Sequence, residues 1–180
     1  LMNGTISVAS ETGKGTEFTV RLDFERAEAL TGAGENSEQT WAVLGGRRIL
    51  LAEDNAMNTE IAKAILKAKG MEVTCAENGL TACRLFSESE FNYFDAILMD
   101  IRMPEMNGRD AARKIRHMDR PDAASIPIIA MSADAFDDDI QKCLEAGMNG
   151  HVAKPIDSEG LFRVLSKMIS EVSQQTPTNS

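Results

Sequence analysis

Asp100 closes the apolar run Phe94-Asp95-Ala96-Ile97-Leu98-Met99, and three other polar positions stand in the same relation to apolar runs of their own. The acidic pair Glu53-Asp54 follows Arg48-Ile49-Leu50-Leu51-Ala52. The hydroxyl of Ser132 ends Ile126-Pro127-Ile128-Ile129-Ala130-Met131, and Lys154 follows a fourth, shorter run directly before Pro155. Polar groups at the C-terminal ends of successive buried strands converge on one edge of an open α/β sheet, where such folds place their sites. Two or three carboxylates, a hydroxyl and an amine gathered there make a place for Mg²⁺ and a phosphoryl group. Each residue alone has a simpler reading. Asp100 could be a solvated loop carboxylate, and Glu53-Asp54 a charge pair at a helix start capped by Asn55 or Asn58. Ser132 could cap a helix from Ala133, and Lys154 could be a surface charge. Their joint occurrence at successive strand ends favours the chemical reading.

The elements that must position these groups are legible in the periodicity. Residues 48–172 alternate strand and helix. Strands are expected at Arg48–Glu53, Met71–Ala76, Phe94–Met99, Ile128–Met131 and His151–Ala153. After the first strand, Met57, Ile61, Ala64, Ile65 and Ala68 recur at helical spacing until Gly70. Leu80, Cys83 and Phe86 mark a second helix. A third runs Gly108–Met118 with Ala111, Ala112 and Ile115 inward. Ala135–Ala146, closed by Gly147, is the fourth. Glu159–Val172 is the last, with Leu161, Leu165 and Met168 on one face. Strands without alternation, separated by helices, imply a parallel sheet covered on both faces. The pattern does not give the strand order. The tail 173–180 is polar and is expected to fray.

The start of the chain follows a different period. Phe18, Val20, Leu22 and Phe24 alternate with polar residues, as do Ile6 and Val8, with Glu11-Thr12-Gly13-Lys14-Gly15 between. That is an antiparallel hairpin with one apolar face. The Gly13-Lys14-Gly15-Thr16 stretch is a turn, because a phosphate loop needs a longer spacing and a following helix. An isolated hairpin is marginal in water, so its apolar face is expected to dock on the rest of the chain or to pair with a second copy. Residues 25–46, rich in Glu, Gly, Ala and Ser, read as a linker interrupted by Trp41.

Composition narrows the function classes. The chain has 180 residues, 43% of them hydrophobic and 26% charged, enough for one domain and an appendage. A net charge of −9 argues against non-specific nucleic-acid binding. No apolar stretch is long enough to span a bilayer, and no signal sequence is seen at the start. No nucleic acid or membrane contact and a cytoplasmic setting are therefore expected. Cys75, Cys83 and Cys143 form no paired motif and are read as reduced core thiols. The run Asp137-Asp138-Asp139 is read as a solvated first helical turn. His117 is read as a surface residue.

Taken with their flanks, these motifs are identified as those of a known family. Leu51-Ala52-Glu53-Asp54-Asn55, Met99-Asp100-Ile101-Arg102-Met103-Pro104, Met131-Ser132-Ala133 and Lys154-Pro155 resemble the receiver domain of two-component signalling proteins. Met2-Asn3-Gly4-Thr5-Ile6-Ser7-Val8 and Gly13-Lys14-Gly15-Thr16-Glu17-Phe18 look like the C-terminal end of a histidine-kinase ATP-binding domain. The order is that of a hybrid sensor histidine kinase: a kinase remnant at 1–24, a linker at 25–46, a receiver at 47–172 and a tail at 173–180. The kinase machinery itself is not contained in these residues, so catalysis by this stretch is left open.

The resemblance implies a five-stranded parallel α/β sandwich of flavodoxin-like type, preceded by the hairpin. It implies a phosphoacceptor in a phosphorelay, taking a phosphoryl group from a kinase histidine, in cis or in trans, and passing it to a histidine phosphotransfer protein. Asp100 would be the nucleophile. Glu53, Asp54, Asp100 and the Arg102 carbonyl would hold Mg²⁺ (or Mn²⁺). Lys154, Ser132 and the Ala133 N–H would hold the phosphoryl oxygens. Ser132 and His151 would form a switch, with His151 where the family often has an aromatic ring. The Lys154-Pro155 bond is expected to be cis. Arg102 and Asp134 are expected to rim the site and hinder water. Three rivals are weaker. A haloacid-dehalogenase-type phosphohydrolase wants a second aspartate where Arg102 stands. A flavin module wants a glycine- and hydroxyl-rich loop where Glu53-Asp54-Asn55-Ala56-Met57 stands. A stand-alone response regulator leaves the hairpin unexplained.

Overall fold

The computed structural model describes residues 4–11, 13, 15–22, 41–133 and 137–175. The chain divides into two compact units, residues 1–35 and 36–180. In the first, strands β1 (Gly4–Glu11) and β2 (Gly15–Leu22) pair antiparallel, with Val8 opposite Phe18 and Ile6 opposite Val20. The turn between them has Gly13 and Gly15 at φ +82 and +102, which a side chain would strain. Ile6, Val8 and Phe18 are exposed. Phe24 lies outside the described residues.

The second unit begins with a short 3₁₀ turn, Ala42–Leu44, and continues β3 (Arg48–Ala52), α1 (Ala56–Ala68), β4 (Glu72–Ala76), α2 (Gly79–Glu88), β5 (Ala96–Asp100), α3 (Gly108–Arg116), β6 (Ile128–Ser132), α4 (Asp137–Glu145), β7 (Gly150–Ala153) and α5 (Ser158–Gln175). The five strands β3–β7 form one parallel sheet in the order β4-β3-β5-β6-β7. Alternate strand residues feed opposite faces. Leu50, Ile97, Met99, Ile128 and Ala130 pack with Phe86 of α2 and Ile115 of α3. Ile49, Leu51, Leu98, Ile129 and Met131 pack with Leu66 of α1 and Phe162 and Leu165 of α5. Covering both faces explains why β3, β5 and β6 read as unbroken apolar runs.

Several details differ from the sequence reading. The inner side of α1 is Ala62 and Leu66, while Met57 and Ile61 are exposed, 70% and 48%. Leu80 is also largely exposed, although Cys83 and Phe86 of the same stripe are buried. On α1 the apolar residues outnumber the positions that can face the sheet, so periodicity alone selects the wrong stripe. Helix α5 runs on to Gln175, into the expected tail. Cys83 and Cys143 are buried, but Cys75 is exposed.

Trp41, which interrupts the expected linker, packs on the second unit. Its ring meets Phe162 edge-on at 5.6 Å between centroids, and the Lys69 ammonium lies 4.7 Å over it. Leu44 behind it is fully buried. Gly70 and Gly147, the expected helix stops, sit at φ +75 and +87, the left-handed conformation that ends a helix.

Candidate functional site

Strand order decides where the polar residues meet. From β3 the chain crosses to β4 on one side and returns to β5 on the other, so the sheet's switch point lies between β3 and β5. Glu53 and Asp54 leave the C-terminal end of β3, and Asp100 is the last residue of β5. Asn55 then caps α1, accepting from the N–H groups of Met57 and Asn58 at 3.0 and 3.1 Å. That cap turns the chain sharply enough to leave Asp54 at the rim, exposed, while Glu53 is buried at 4% exposure. One carboxylate oxygen each from Glu53, Asp54 and Asp100 lies within 4.8 Å of the others. An all-oxygen cluster of this charge suits a hard divalent cation such as Mg²⁺.

Lys154 comes from the far side of the site, after β7. Its Nζ donates to Glu53 Oε2 at 2.5 Å and to Asp100 Oδ2 at 2.8 Å, across 101 and 54 residues of chain. The following Lys154-Pro155 peptide is cis, as expected. Burial works against the lysine's charge, but the hydrogen bonds and charges of Asp100 and Glu53 outweigh it and hold its pKa above the ordinary lysine value. Asp100 also accepts from the Arg102 N–H at 3.2 Å. Its backbone is fixed from outside by α3: a Cβ on Gly108 would stand 2.1 Å from the Asp100 carbonyl oxygen. Only a residue without a side chain lets that helix start so close to the site.

Ser132, 7% exposed, ends β6 and lies beside β7. Its hydroxyl is 2.7 Å from His151 Nε2. The sequence reading pairs these two as a switch, and they are in contact. Burial pushes the His151 pKa below its ordinary value, so the imidazole is neutral at neutral pH. Ala133 is exposed at the strand end. Asp134, the expected partner of Arg102, lies outside the described residues. His117 is exposed, its Nδ1 2.7 Å from the Arg113 carbonyl oxygen.

Two contacts at the site go beyond the residues that the motifs name. Asn58 donates to Glu53 Oε1 at 2.9 Å, so both oxygens of that buried carboxylate are partnered. Its place, five residues after Glu53 and one turn into α1, is the signal that could have found it. Arg109 pairs with Asp139 at 3.4 Å, joining α3 to α4. No local pattern announces a pair 30 residues apart. A cleft of about 420 Å³ opens beside the acidic cluster, lined by Glu53, Asp54, Thr59, Glu60, Cys75 and Glu77 among others. A smaller pocket of about 90 Å³ lies on the Ser132 side, lined by Ile101, Arg102, Arg109, Ser132 and Asp139.

Comparison with known proteins follows the same outline. The model of the response regulator receiver domain matches residues 49–166. The chain is 36% identical over 149 residues to Histidine kinase 3 of Arabidopsis thaliana, covering 73% of this chain and 14% of that protein. It is 35% identical over 136 residues to Hybrid signal transduction histidine kinase I of Dictyostelium discoideum, covering 74% of this chain and 8% of that protein. It therefore spans a small part of the length of either relative. Among solved structures it resembles the receiver domain of a sensor histidine kinase from Pseudomonas aeruginosa, which has a magnesium ion coordinated in its active-site cleft. The TM-score is 0.63 at 39% identity, over 70% of this chain and 99% of that one. The fold is shared with the receiver domain of the Saccharomyces cerevisiae response regulator Ssk1, solved in complex with the histidine phosphotransfer protein Ypd1. There the TM-score is 0.65 at 24% identity, over 76% of this chain and 96% of that one. With the strand order, the acidic cluster and the family match in agreement, this chain belongs to the response regulator receiver domain family.

Proposed function

We propose that Asp100 is the phosphoacceptor of a phosphorelay, taking its phosphoryl group from a kinase histidine and yielding it to a histidine phosphotransfer protein. The observation that carries the reading is the Lys154 ammonium held between Glu53 and Asp100 beside the carboxylate of Asp54. Attack by an Asp100 oxygen on the phosphorus of a phosphohistidine forms the P–O bond as the P–N bond breaks. The departing imidazole keeps the electron pair of that bond. A carboxylate is ionised at neutral pH, so the nucleophile needs no general base. Lys154 supplies a fixed positive charge to the phosphoryl oxygens, and Ser132 with the Ala133 N–H supplies hydrogen bonds. Glu53, Asp54, Asp100 and the Arg102 carbonyl would hold Mg²⁺ or Mn²⁺. When bound, the ion neutralises the clustered carboxylates and the charge on the transferred group.

The exposed apolar side chains of α1 support a helical partner. Met57 and Ile61 lie one turn apart, on the helix that starts at the acidic cluster. A histidine on a helix laid along that stripe would be delivered to the rim where Asp54 stands. The Ypd1–Ssk1 complex makes a phosphotransfer protein a reasonable class of partner. The parent is read as a hybrid histidine kinase, with residues 1–24 the end of its ATP-binding domain and the receiver following the linker. Mass spectrometry after incubation with acetyl phosphate and Mg²⁺ tests the core of the reading. Labelling should be confined to Asp100, absent in Asp100→Asn and abolished by EDTA. Equal labelling of the variant would refute it.

A further inference from the structure

The Arg109–Asp139 pair takes no part in the chemistry above, yet both residues line the pocket that Ser132 lines. Arg109 is the second residue of α3, and its position is fixed by its neighbour. Gly108 donates its N–H to the Ile101 carbonyl at 3.0 Å, and the close approach of its backbone to Asp100 leaves no room for a side chain. Arg109 therefore starts from a backbone held rigidly against the acceptor strand. Asp139 faces it from the first turn of α4, in the run Asp137-Asp138-Asp139.

We propose that the Arg109–Asp139 pair is a latch on the phosphoryl-side pocket, in which an aspartyl phosphate at Asp100 competes with Asp139 for the Arg109 guanidinium. The proposal rests on the reading of Asp100 as phosphoacceptor. Three observations carry it. A pocket of about 90 Å³ is lined by both Ser132 and Arg109, together with Ile101 and Arg102, the two residues that follow Asp100, so the hydroxyl and the guanidinium border one space next to the acceptor. The resting pair is weakly made: one contact at 3.4 Å between side chains 30% and 37% exposed. A phosphoryl dianion offers more charge and a bidentate set of oxygens, the geometry a guanidinium prefers. Asp139 is also not stranded by the exchange, because Lys142 stands 3.7 Å from it on the same helix.

The exchange has a consequence for the fold. In the resting chain Arg109 ties α3 to α4. Once it turns to the phosphoryl group, the acidic first turn of α4 loses a cation supplied by another element. The start of α4 then loses that tie to α3.

A double-mutant cycle on the full chain tests this, with beryllium fluoride and Mg²⁺ as the phosphoryl mimic and affinity measured by calorimetry. Arg109→Gln should weaken binding about fivefold, the scale of one charge-assisted hydrogen bond at a half-exposed position. Asp139→Asn should tighten it about two- to threefold by removing the competitor, a share of what an exposed ion pair is worth. The double variant should match Arg109→Gln alone, and Arg109→Lys should recover part of the loss. Hydrogen exchange in residues 140–145 should quicken when the mimic binds the unmodified chain and stay unchanged in Arg109→Gln. If Asp139→Asn leaves the affinity unchanged, or acts as strongly in the Arg109→Gln background, there is no competition and the latch is overturned. If the unmodified chain fails to bind the mimic, or Asp100→Asn binds it equally well, the phosphoacceptor reading falls first and the latch with it.

Discussion

Replacing Lys154 with alanine separates two roles of one charge. Among the described residues, Lys154 is the cation shared by Glu53 and Asp100, and its loss leaves two buried carboxylates facing each other. A divalent cation relieves that repulsion, so Mg²⁺ binding by Lys154→Ala should tighten, by about threefold or more. Labelling by acetyl phosphate should nevertheless fall at least tenfold, as when one preorganised charge contact is removed from a phosphoryl site. Calorimetry and mass spectrometry on the same sample read the two effects. A parallel loss of metal binding would mean that Lys154 merely holds the site together. His151 gives a pH prediction. Its folded pKa lies below the ordinary 6.5, so the unfolded chain binds the extra proton first as pH falls. Its stability contribution is present above the ordinary value and is lost progressively as pH drops towards the folded pKa. Urea midpoints at neutral pH and at pH about 5 should differ less in His151→Gln than in the unmodified chain. An equal difference in both would place the pH effect elsewhere.

At the scale of elements, two fastenings that touch no phosphoryl group decide the frame. Gly108 lets α3 begin against the Asp100 carbonyl. An alanine there meets that oxygen and Met99 Cγ, at 2.1 and 2.9 Å from its Cβ. Gly108→Ala should cost about 1–3 kcal/mol, the range for forced overpacking. It should also slow labelling at Asp100, because the helix start must retreat from the nucleophile. Full activity with unchanged thermal stability would show that α3 can yield freely. The second fastening is the ion pair of Arg120 and Asp122, whose side chains are 5% and 3% exposed. Arg120 also donates to the carbonyls of Phe86, Ser89 and Glu90, and Asp122 accepts from the Asn92 N–H at 2.8 Å. This ties the end of α2 and the approach to β5 together at the edge of the sheet away from the site. Desolvation opposes the Asp122 charge, but Arg120 and the backbone donors more than offset it and hold its pKa below the usual carboxylate value. Asp122→Ala leaves the guanidinium buried without its counter-ion. The expected loss is about 3–5 kcal/mol in chemical unfolding, with metal binding by the folded fraction unchanged.

For the whole molecule, the boundary of the receiver is the testable matter. The unit includes Trp41 and the buried Leu44, ahead of the expected boundary at 46. A chain starting at residue 47 loses Leu44, whose burial is worth about 1.5–3 kcal/mol, together with the ring contacts of Trp41. It should melt several degrees lower than a chain starting at residue 41. Equal melting temperatures would make the upstream turn ornamental. The hairpin has exposed Ile6, Val8 and Phe18, and we propose that in the parent its apolar face is covered by the remainder of the ATP-binding domain. In isolation the same face can pair with a second copy. Light scattering on the full chain and on the chain starting at 41 distinguishes the cases: a dimer in the first and a monomer in the second indicates pairing through the hairpin.

Sequence alone determined the alternation of strands and helices, and with it the identity of the polar residues at strand ends. Both follow from local causes: unbroken apolar runs for strands buried on two faces, helical spacing between them, and motif residues a few positions apart. The motifs and their resemblance name Glu53, Asp54, Asp100, Ser132, His151 and Lys154 without any distance. Tertiary structure decided what those residues touch. That Lys154 bridges Glu53 and Asp100 depends on the order β4-β3-β5-β6-β7, which no periodicity encodes. The same holds for Asn58 on Glu53 and Arg109 on Asp139, where the partner is chosen by packing rather than spacing. The exposed stripe on α1 escapes the periodicity for a related reason. Met57 and Ile61 have the period of a buried face, but the sheet accepts only the face of Ala62 and Leu66, because the rotation of a helix on a sheet is fixed by fit and not by count.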